Sequence, residues 1–316
     1  DESFLESRRN TPVVAIAQHG HRYGIASLTL ASGEFVVVEV LANELANELE
    51  RLAPAEILIA EGASLPTLAN GPTPRKLPPW HFELASAKRL LQQQFGTPNL
   101  QGFGLEESPA AISAAGAALA YIQLTQQGSQ IPHITGIRLE QRDVCLLLDS
   151  VTRRNLELDT STNHSDNQHT LLSVLDHCET TMGSRLLRAW LARPLRDVSI
   201  LTARQQAIAL FHELTPKLAT HLRALPDIER ILTRVALRSA RPRDLSSLAA
   251  GLGQIPAIQQ TFAPIIQQAP YSLCAHLCAH IQDPQPVVTL LTHAIKAEPP
   301  LLIRDGGVIA EGFDAE

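Results

Sequence analysis

The spacing of hydrophobic residues changes once along this chain, and that change restricts the fold more than any other feature. Before about residue 128, short β-branched runs alternate with stretches whose apolar residues recur three and four positions apart. Beyond residues 128–138, almost all of the pattern has the helical period. Alternating strands and helices indicate an α/β domain, and helices alone indicate an all-α domain. The chain has 316 residues, and at roughly 150 per domain it is predicted to form two, over residues 1–130 and 131–316.

In the first domain, turn residues separate the predicted strands from one another and from the helices. Residues 31–33 (Ala-Ser-Gly) lie between two β-rich runs and predict a hairpin. Leucines spaced by four and three over residues 41–52 predict the first helix. Residues 62–79 are rich in Gly and Pro and predict a loop. The predicted elements are strands over residues 13–17, 23–30, 34–40 and 57–59, and helices over residues 41–52, 82–95 and 109–127.

In the second domain, the pattern predicts one strand followed almost entirely by helices. The strand-like run is residues 144–148. Thr181 is predicted to be the N-cap of one helix, and Pro242 is predicted to begin another. The predicted helical regions are residues 182–191, 199–213, 228–235, 242–255, 264–280 and 284–297.

Composition excludes several classes of protein. With 45% hydrophobic residues the chain is not a disordered one, and no stretch approaches the roughly 18 uninterrupted apolar residues of a membrane span. The net charge of −6 argues against a protein that coats nucleic acid along its whole surface. Four cysteines and no signal-peptide pattern lead us to expect the cytoplasm. The chain begins at Asp1 and its single methionine is Met182, so we expect an internal piece of a longer protein.

No pattern in the sequence predicts a bound cofactor or metal. A P-loop needs a Gly-rich turn followed by Lys and Ser or Thr, and no such run is present. Cys274, His276, Cys278 and His280 are of metal-ligand types, but on a helix the two cysteines share one face and the two histidines point elsewhere. We therefore expect two buried cysteines and two exposed histidines on a helix.

Carboxylates near the predicted strands raise the alternative of a metal-dependent nuclease. The residues concerned are Glu34, Glu39, Glu56 and Glu61, and no Asp lies between the first residue and Asp143. Two-metal catalysis needs inward-facing carboxylates clustered on the strands. The pattern favours solvation of the sheet edges by these four residues over catalysis, but it leaves the nuclease interpretation open.

The basic residues are mostly arginine and are concentrated in one region. The chain has 22 Arg against 4 Lys, and residues 185–243 hold 12 basic against four acidic side chains. Arg230, Arg234 and Arg238 are spaced by four and are predicted to line one helical face, where like charges destabilise a helix by about 0.2–0.5 kcal/mol per pair. An anion should compensate them. Two interpretations stay open: structural ion pairs with carboxylates of neighbouring helices, or contacts to nucleic-acid phosphates.

Several runs resemble the MutS family of mismatch repair proteins. The resemblance covers nearly the whole chain, and several of its motifs are specific. In the second domain it is carried by residues 149–158 (DSVTRRNLEL), 170–176 (TLLSVLD), 181–187 (TMGSRLL), 190–191 (WL), 194–195 (PL), 226–230 (PDIER) and 240–245 (ARPRDL). In the first domain it is carried by residues 32–35 (SGEF), 54–56 (PAE) and 94–96 (QFG), and at the end of the chain by residues 304–309 (RDGGVI).

The resemblance implies a fold and a division of labour. The fold would be an RNase-H-like α/β connector domain over residues 1–130, followed by a mostly helical core or lever domain over residues 131–316. In that family, one domain reads mismatched DNA and another binds ATP and Mg²⁺ through a P-loop, and neither motif is present here. The resemblance therefore implies no enzymatic activity, no cofactor and no mismatch reading for this chain itself.

The role implied by the resemblance is mechanical. The chain would couple mismatch binding to ATP hydrolysis within a MutS homodimer on DNA, away from any membrane, and its connector would help to dock MutL. Such coupling needs a movable junction, and we predict a hinge at Gly128, Ser129 and Pro132. The alternatives are a nucleic-acid-cleaving enzyme and an independent basic DNA-binding module around Arg234.

Overall fold

The computed structural model describes residues 8–63, 65, 71–128, 130–161 and 169–313. By their internal contacts these residues form two compact units. Unit 1 is Asp1–Leu175 with Leu191–Arg193, and unit 2 is Asp176–Trp190 with Pro194–Glu316. The sequence thus predicted the coarse class correctly: a mixed α/β sheet is followed by helices.

Unit 1 is built on a six-stranded sheet with the order β5-β4-β1-β2-β3-β6. Strands β1 to β3 form an antiparallel meander, β4 and β5 add in parallel beyond β1, and β6 runs parallel to β3. The strands are β1 Val13–His19, β2 Arg22–Thr29, β3 Glu34–Leu41, β4 Glu56–Ala60, β5 Arg75–Leu77 and β6 Arg138–Leu139. The helices are α1 Ala42–Leu52, α2 Leu84–Phe95, α3 Pro109–Thr125, α4 Ser150–Asn155 and α5 Leu171–Leu175.

Different helices cover the two faces of the sheet. Large residues of β1 to β4 pack with Leu45 and Leu49 of α1 to form a buried cluster. The opposite face carries small residues, Ala15 and Ala26 among them, beside larger ones such as Leu28, and the alanine-rich α3 lies against it. Because strand side chains alternate between faces, one short sequence specifies both surfaces.

Two glycines allow α3 to approach its neighbours closely. A Cβ at Gly24 of β2 would lie 2.0 Å from the carbonyl carbon of Ala110, at the start of α3. A Cβ at Gly116, further along α3, would lie 2.3 Å from the Cβ of Ala87 in α2. The helix is therefore held between the sheet and α2, which explains why its apolar residues show no single buried face.

Unit 2 consists of helices in the part of it that the structure describes, apart from an isolated bridge between Ile295 and Ile309. One core cluster joins Ala207, Ile265 and Cys274, and Phe211 packs edge-on against Phe262 beside it. The helices are α6 Thr181–Ala192, α7 Val198–Phe211, α8 Thr215–Arg223, α9 Ile228–Ala236, α10 Pro242–Leu252, α11 Ile255–Gln268, α12 Leu273–Ala279 and α13 Gln285–Ala294.

Several local predictions were wrong, each for an identifiable reason. Residues 144–148 form no strand of the sheet, because β6 takes the place beside β3. The predicted helix over residues 264–280 is two helices, which the segment around Pro270 separates. The N-cap of α6 is Thr180, whose hydroxyl accepts from the Gly183 N–H at 3.0 Å. The sequence reasoning also missed β5, β6, α4, α5 and α8.

In the described part of the chain, every helix is too short or too polar to cross a lipid bilayer.

Candidate functional site

The carboxylates near the sheet have partners within the fold. Glu39 Oε1 accepts the N–H groups of Ala110 and Ala111 at 3.0 and 3.1 Å, so it caps the N-terminus of α3 from the neighbouring sheet. Glu56 Oε2 accepts the hydroxyl of Tyr121 at 2.6 Å. Burial, together with this carboxylate, raises the pKa of Tyr121. The prediction of sheet-edge solvation was therefore wrong for Glu39, which caps a helix, and incomplete for Glu56, whose side chain is 45% exposed but also binds Tyr121.

These two carboxylates are too far apart to share a metal ion. Glu39 lies on β3 and Glu56 on β4, and the order β4-β1-β2-β3 separates them by three strand spacings, about 14 Å. Glu34 and Glu61 lie at exposed strand ends. Within the described ranges, no three His, Cys, Asp or Glu side chains are grouped as a metal site would need.

The Cys and His residues of α12 divide between two environments, as the sequence predicted. Cys274 and Cys278 are buried, and desolvation raises the pKa of both thiols. His276 and His280 are exposed, and their rings meet at 4.5 Å. Neutral buried thiols of this kind act as small hydrophobic side chains rather than as nucleophiles.

The strongest charge cluster of unit 2 is centred on Arg185. Its guanidinium donates to both carboxylate oxygens of Asp227 at 2.6 and 2.7 Å, and to Glu229 Oε2 at 2.7 Å. The Thr181 hydroxyl donates to Asp227 at 2.9 Å. Burial alone would raise the pKa of Asp227, but the hydrogen bonds and charge of Arg185 outweigh it and hold that pKa below its usual value.

Asp227 also begins α9, because its Oδ1 accepts the N–H of Arg230 at 3.3 Å. The sequence did not connect Asp227 with Arg185. The Arg230 contact is present but looser, with 3.6 Å between Nε and Oδ2. Arg185 and Asp227 are 42 residues apart, and no local spacing relates them. The fold therefore makes Asp227 the shared partner of α6 and α9.

The predicted stripe Arg230, Arg234 and Arg238 is shorter in the structure. Arg234 pairs with both oxygens of Asp244 at 2.9 and 2.7 Å. Arg238 lies beyond the end of α9 with a φ of 55°, and its side chain is exposed. The prediction that all three line one helical face was wrong for Arg238. The N–H groups of Arg238 and Ser239 close back on Val235 and Arg234, as in a helix-ending turn with a left-handed residue.

A second charge cluster lies within unit 1 and was not predicted. Glu48 and Glu140 are only 7% and 8% exposed. Arg51 hydrogen-bonds to Glu48 and, at 3.0 Å, to Glu140, and Arg193 also contacts Glu140. Burial and repulsion by Arg51 lower the pKa of Arg193 to about 10. Burial would raise the pKa of Glu48, yet the charge of Arg51 keeps it below its usual value.

The predicted hinge falls on a segment that is partly fixed. Gly128 follows α3 and its N–H bonds the carbonyl of Gln123 at 3.1 Å, whereas Ser129 lies outside the described residues. Pro132 is exposed. The neighbouring Ile131 is buried, and its carbonyl accepts from the Gln94 side chain at 2.8 Å. The hinge stays a prediction.

Comparison with protein families adds an independent finding. A family model described as MutS domain II matches residues 12–135. A second, described as MutS domain III, matches residues 151–315, which is more than half of the chain. Both matches agree with the motifs that carried the resemblance. The chain therefore belongs to the MutS family of DNA mismatch repair proteins and carries that family's domains II and III.

Proposed function

We propose that this chain acts as a transmitting part of a MutS protein, coupling mismatch binding to ATP hydrolysis that both take place elsewhere in that protein. The observation that carries the proposal is that its arginines and carboxylates largely bind one another. Arg185 binds Asp227, and Arg234 binds Asp244. A charge that is paired and buried inside a fold is not offered to a phosphate or a metal ion. These groups therefore hold elements in place rather than perform chemistry.

We propose that the sheet of unit 1 belongs to the RNase-H-like class and has no catalytic activity. The strand order β5-β4-β1-β2-β3, with an antiparallel meander first and parallel strands after it, supports that class of sheet. The separation of Glu39 from Glu56 across three strand spacings argues against two-metal hydrolysis.

The mechanical part of the proposal concerns α6, the first long helix of the lever. Residues up to Trp190 group with unit 2, whereas Leu191–Arg193 group with unit 1. The Ala192 carbonyl, at the end of α6, accepts from Arg153 at 2.9 Å. A helix moves as a rigid rod, so a displacement at one of its ends is carried to the other.

The remaining parts of the proposal follow from family membership. In general, MutS proteins bind mismatched DNA as dimers. We propose that MutL docks on the domain II region, that ATP and Mg²⁺ bind in a domain outside this chain, and that the protein works in the cytoplasm.

Fluorescence anisotropy with a G·T-mismatched duplex and its matched counterpart tests the division of labour. We expect equal affinities for the two duplexes, and weak binding that disappears between about 50 and about 200 mM NaCl. A clear preference for the mismatch would contradict the proposal, because this chain would then read the deformability of DNA itself.

A basic DNA-binding surface is the second candidate function, and exposed arginines after α9 favour it. Arg238 and Arg241 are exposed, whereas Arg234 is paired with Asp244. If phosphate contact matters, Arg238→Ala lowers the salt dependence of DNA binding by about one unit of slope. Arg234→Ala serves as the comparison, since it should reduce stability and leave the slope unchanged. Equal slopes for both variants and the parent chain would exclude this candidate.

A metal-dependent cleavage assay tests the nuclease alternative. We expect labelled DNA and RNA to stay intact when the chain is incubated with Mg²⁺ or Mn²⁺. Cleavage that persists in the parent chain and is lost in Glu56→Gln would show that the carboxylates act despite their separation.

A further inference from the structure

The segment that covers most of the gap between the two family-matched ranges exposes apolar side chains and buries a charged one. Residues 138–155 run from β6 to the end of α4, and we call them the strap. Within the strap, Cys145 is the only buried apolar side chain, yet the charged side chain of Glu140 is buried as well. Its exposed large apolar residues are Val144, Leu146, Leu147 and Val151. A permanently docked segment usually buries its apolar side chains and leaves its charges in water.

Polar contacts hold the strap along α1. Arg142 donates to Glu44 Oε2 at 2.5 Å, and the Ser150 N–H donates to Asn47 Oδ1 at 3.3 Å. Further along, a nitrogen of Arg154 lies 3.6 Å from Glu50 Oε1. Three successive turns of α1 thus contact the strap.

The buried centre of this arrangement is Glu140. It accepts from Arg51 of α1 at 3.0 Å and also contacts Arg193. Its own N–H donates to the carbonyl of Val37 at 2.8 Å, which extends the pairing of β6 with β3 by one bond. Loss of either arginine leaves a buried carboxylate incompletely compensated, which is costly in a protein interior.

We propose that the strap beyond β6 is a releasable latch, held on α1 by charge pairs and able to leave it while β6 and the other strands stay folded. Ion pairs that are partly exposed contribute little net stability and weaken as salt screens them. The sheet beneath is held by apolar burial, which salt does not screen. Local opening of the strap therefore requires less free energy than global unfolding. In the released state, the four exposed apolar side chains are free to face new surroundings.

Hydrogen exchange followed by mass spectrometry on the full chain tests the latch without any mutation. Between about 0.05 and about 0.5 M NaCl, we expect amides of residues 141–149 to exchange roughly tenfold faster. Amides of β1 and β2 should keep their rates. Salt-independent exchange in the strap, or an equal acceleration in the sheet, would overturn the proposal.

Variants at the outer pair give a second test. Arg142→Gln should accelerate strap exchange about threefold at low salt and reduce its response to salt. Glu44→Gln should accelerate the strap to the same extent, because the glutamine keeps an oxygen for the Leu41 N–H that Glu44 accepts at 2.9 Å. The double variant Glu44→Gln with Arg142→Gln should be no faster than either single variant, because the pair is already lost. Arg89→Gln, an exposed arginine on α2, is the matched control and should change nothing. A double variant whose acceleration is the product of the two single effects would show that the charge pair does not hold the strap.

Arg193→Gln tests the buried centre. We expect the strap to exchange faster in this variant than in Arg142→Gln, with the sheet unchanged. If Arg193→Gln fails to fold, the salt series and the outer pair still decide the matter. The latch would exist whether or not the chain transmits signals in mismatch repair, so equal affinity for the two duplexes and a salt-dependent strap are separate results.

Discussion

Each buried charged residue in this chain depends on partners of opposite charge. Arg185, with a side chain only 4% exposed, meets three carboxylate oxygens, and Asp227 in turn meets a guanidinium, a hydroxyl and a backbone N–H. In such a cluster, each group is tolerated in the interior only because the others are present. The cost of a substitution therefore depends on the charge that it leaves behind.

Asp227→Asn should reduce the free energy of unfolding by about 3 kcal/mol, because the buried charge of Arg185 then keeps only the carboxylate of Glu229 as a charged partner. Urea denaturation measures this. Glu229→Gln is the matched control, and its loss should stay near 1 kcal/mol or less because the Glu229 side chain is 45% exposed. Similar losses in both variants would mean that Asp227 is not the dominant partner.

At the end of α9, one substitution is expected to stabilise the protein rather than destabilise it. Arg238 has a φ of 55°, a conformation that glycine adopts without strain. Arg238→Gly should raise the free energy of unfolding by roughly 0.5–1 kcal/mol, whereas Arg238→Ala should not. Thermal unfolding of the two variants checks this. Equal melting temperatures would show that this turn stores no backbone strain.

At the scale of elements, small residues matter as much as large ones. Helix α3 reaches the sheet because β2 offers Gly24 opposite Glu39, so that one register pair supplies both the space and the capping carboxylate. On its other side, Gly116 meets Ala87 of α2. Close approach of backbones, rather than bulky side chains, fixes the position of this helix.

Gly24→Ala should reduce the free energy of unfolding by about 3 kcal/mol, because the new methyl group overlaps the backbone of Ala110. Chemical denaturation of this variant beside Gly102→Ala measures the effect. Gly102 has open space around its Cβ position and no positive φ, so it should lose less than about 0.5 kcal/mol. A small loss at Gly24 would mean that α3 shifts to make room.

For the whole molecule, the net charge does not show that many arginines and carboxylates are paired locally. The chain carries −6 overall, yet residues 185–243 hold 12 basic side chains. Carboxylates on both units have pKa values lowered mainly by arginine partners or by hydrogen bonds, against desolvation where they are buried. This set includes Glu44, Glu48, Glu179, Asp227 and Asp244.

Acid should destabilise the protein. A carboxyl whose pKa is lower in the folded state contributes stability above its unfolded pKa, and that stability is lost as pH falls through the folded value. The free energy of unfolding should therefore fall as pH decreases from about 5 to about 3. Urea denaturation at a series of pH values measures this, and Asp227→Asn should show a shallower decrease. A flat profile would contradict the assigned pairs.

The sequence by itself determined the coarse organisation of this protein. Hydrophobic period distinguishes a strand from a helix locally, so β1 to β4, α1 to α3 and the helices α6, α7, α9, α10 and α13 of unit 2 were placed within a few residues. The motif at residues 226–230 also indicated the family, and it places Asp227 at the start of α9. These features depend on residues that are close together along the chain.

The tertiary structure alone decided which charges meet. Arg185 finds Asp227 across 42 residues, and Arg51 finds Glu140 across 89. Short elements such as β5 and β6 exist because a neighbouring strand offers an edge, and not because their own residues prefer it. Arg238 leaves the predicted stripe because α9 ends before it. Long-range pairing has no period along the sequence, so only the folded chain reveals it.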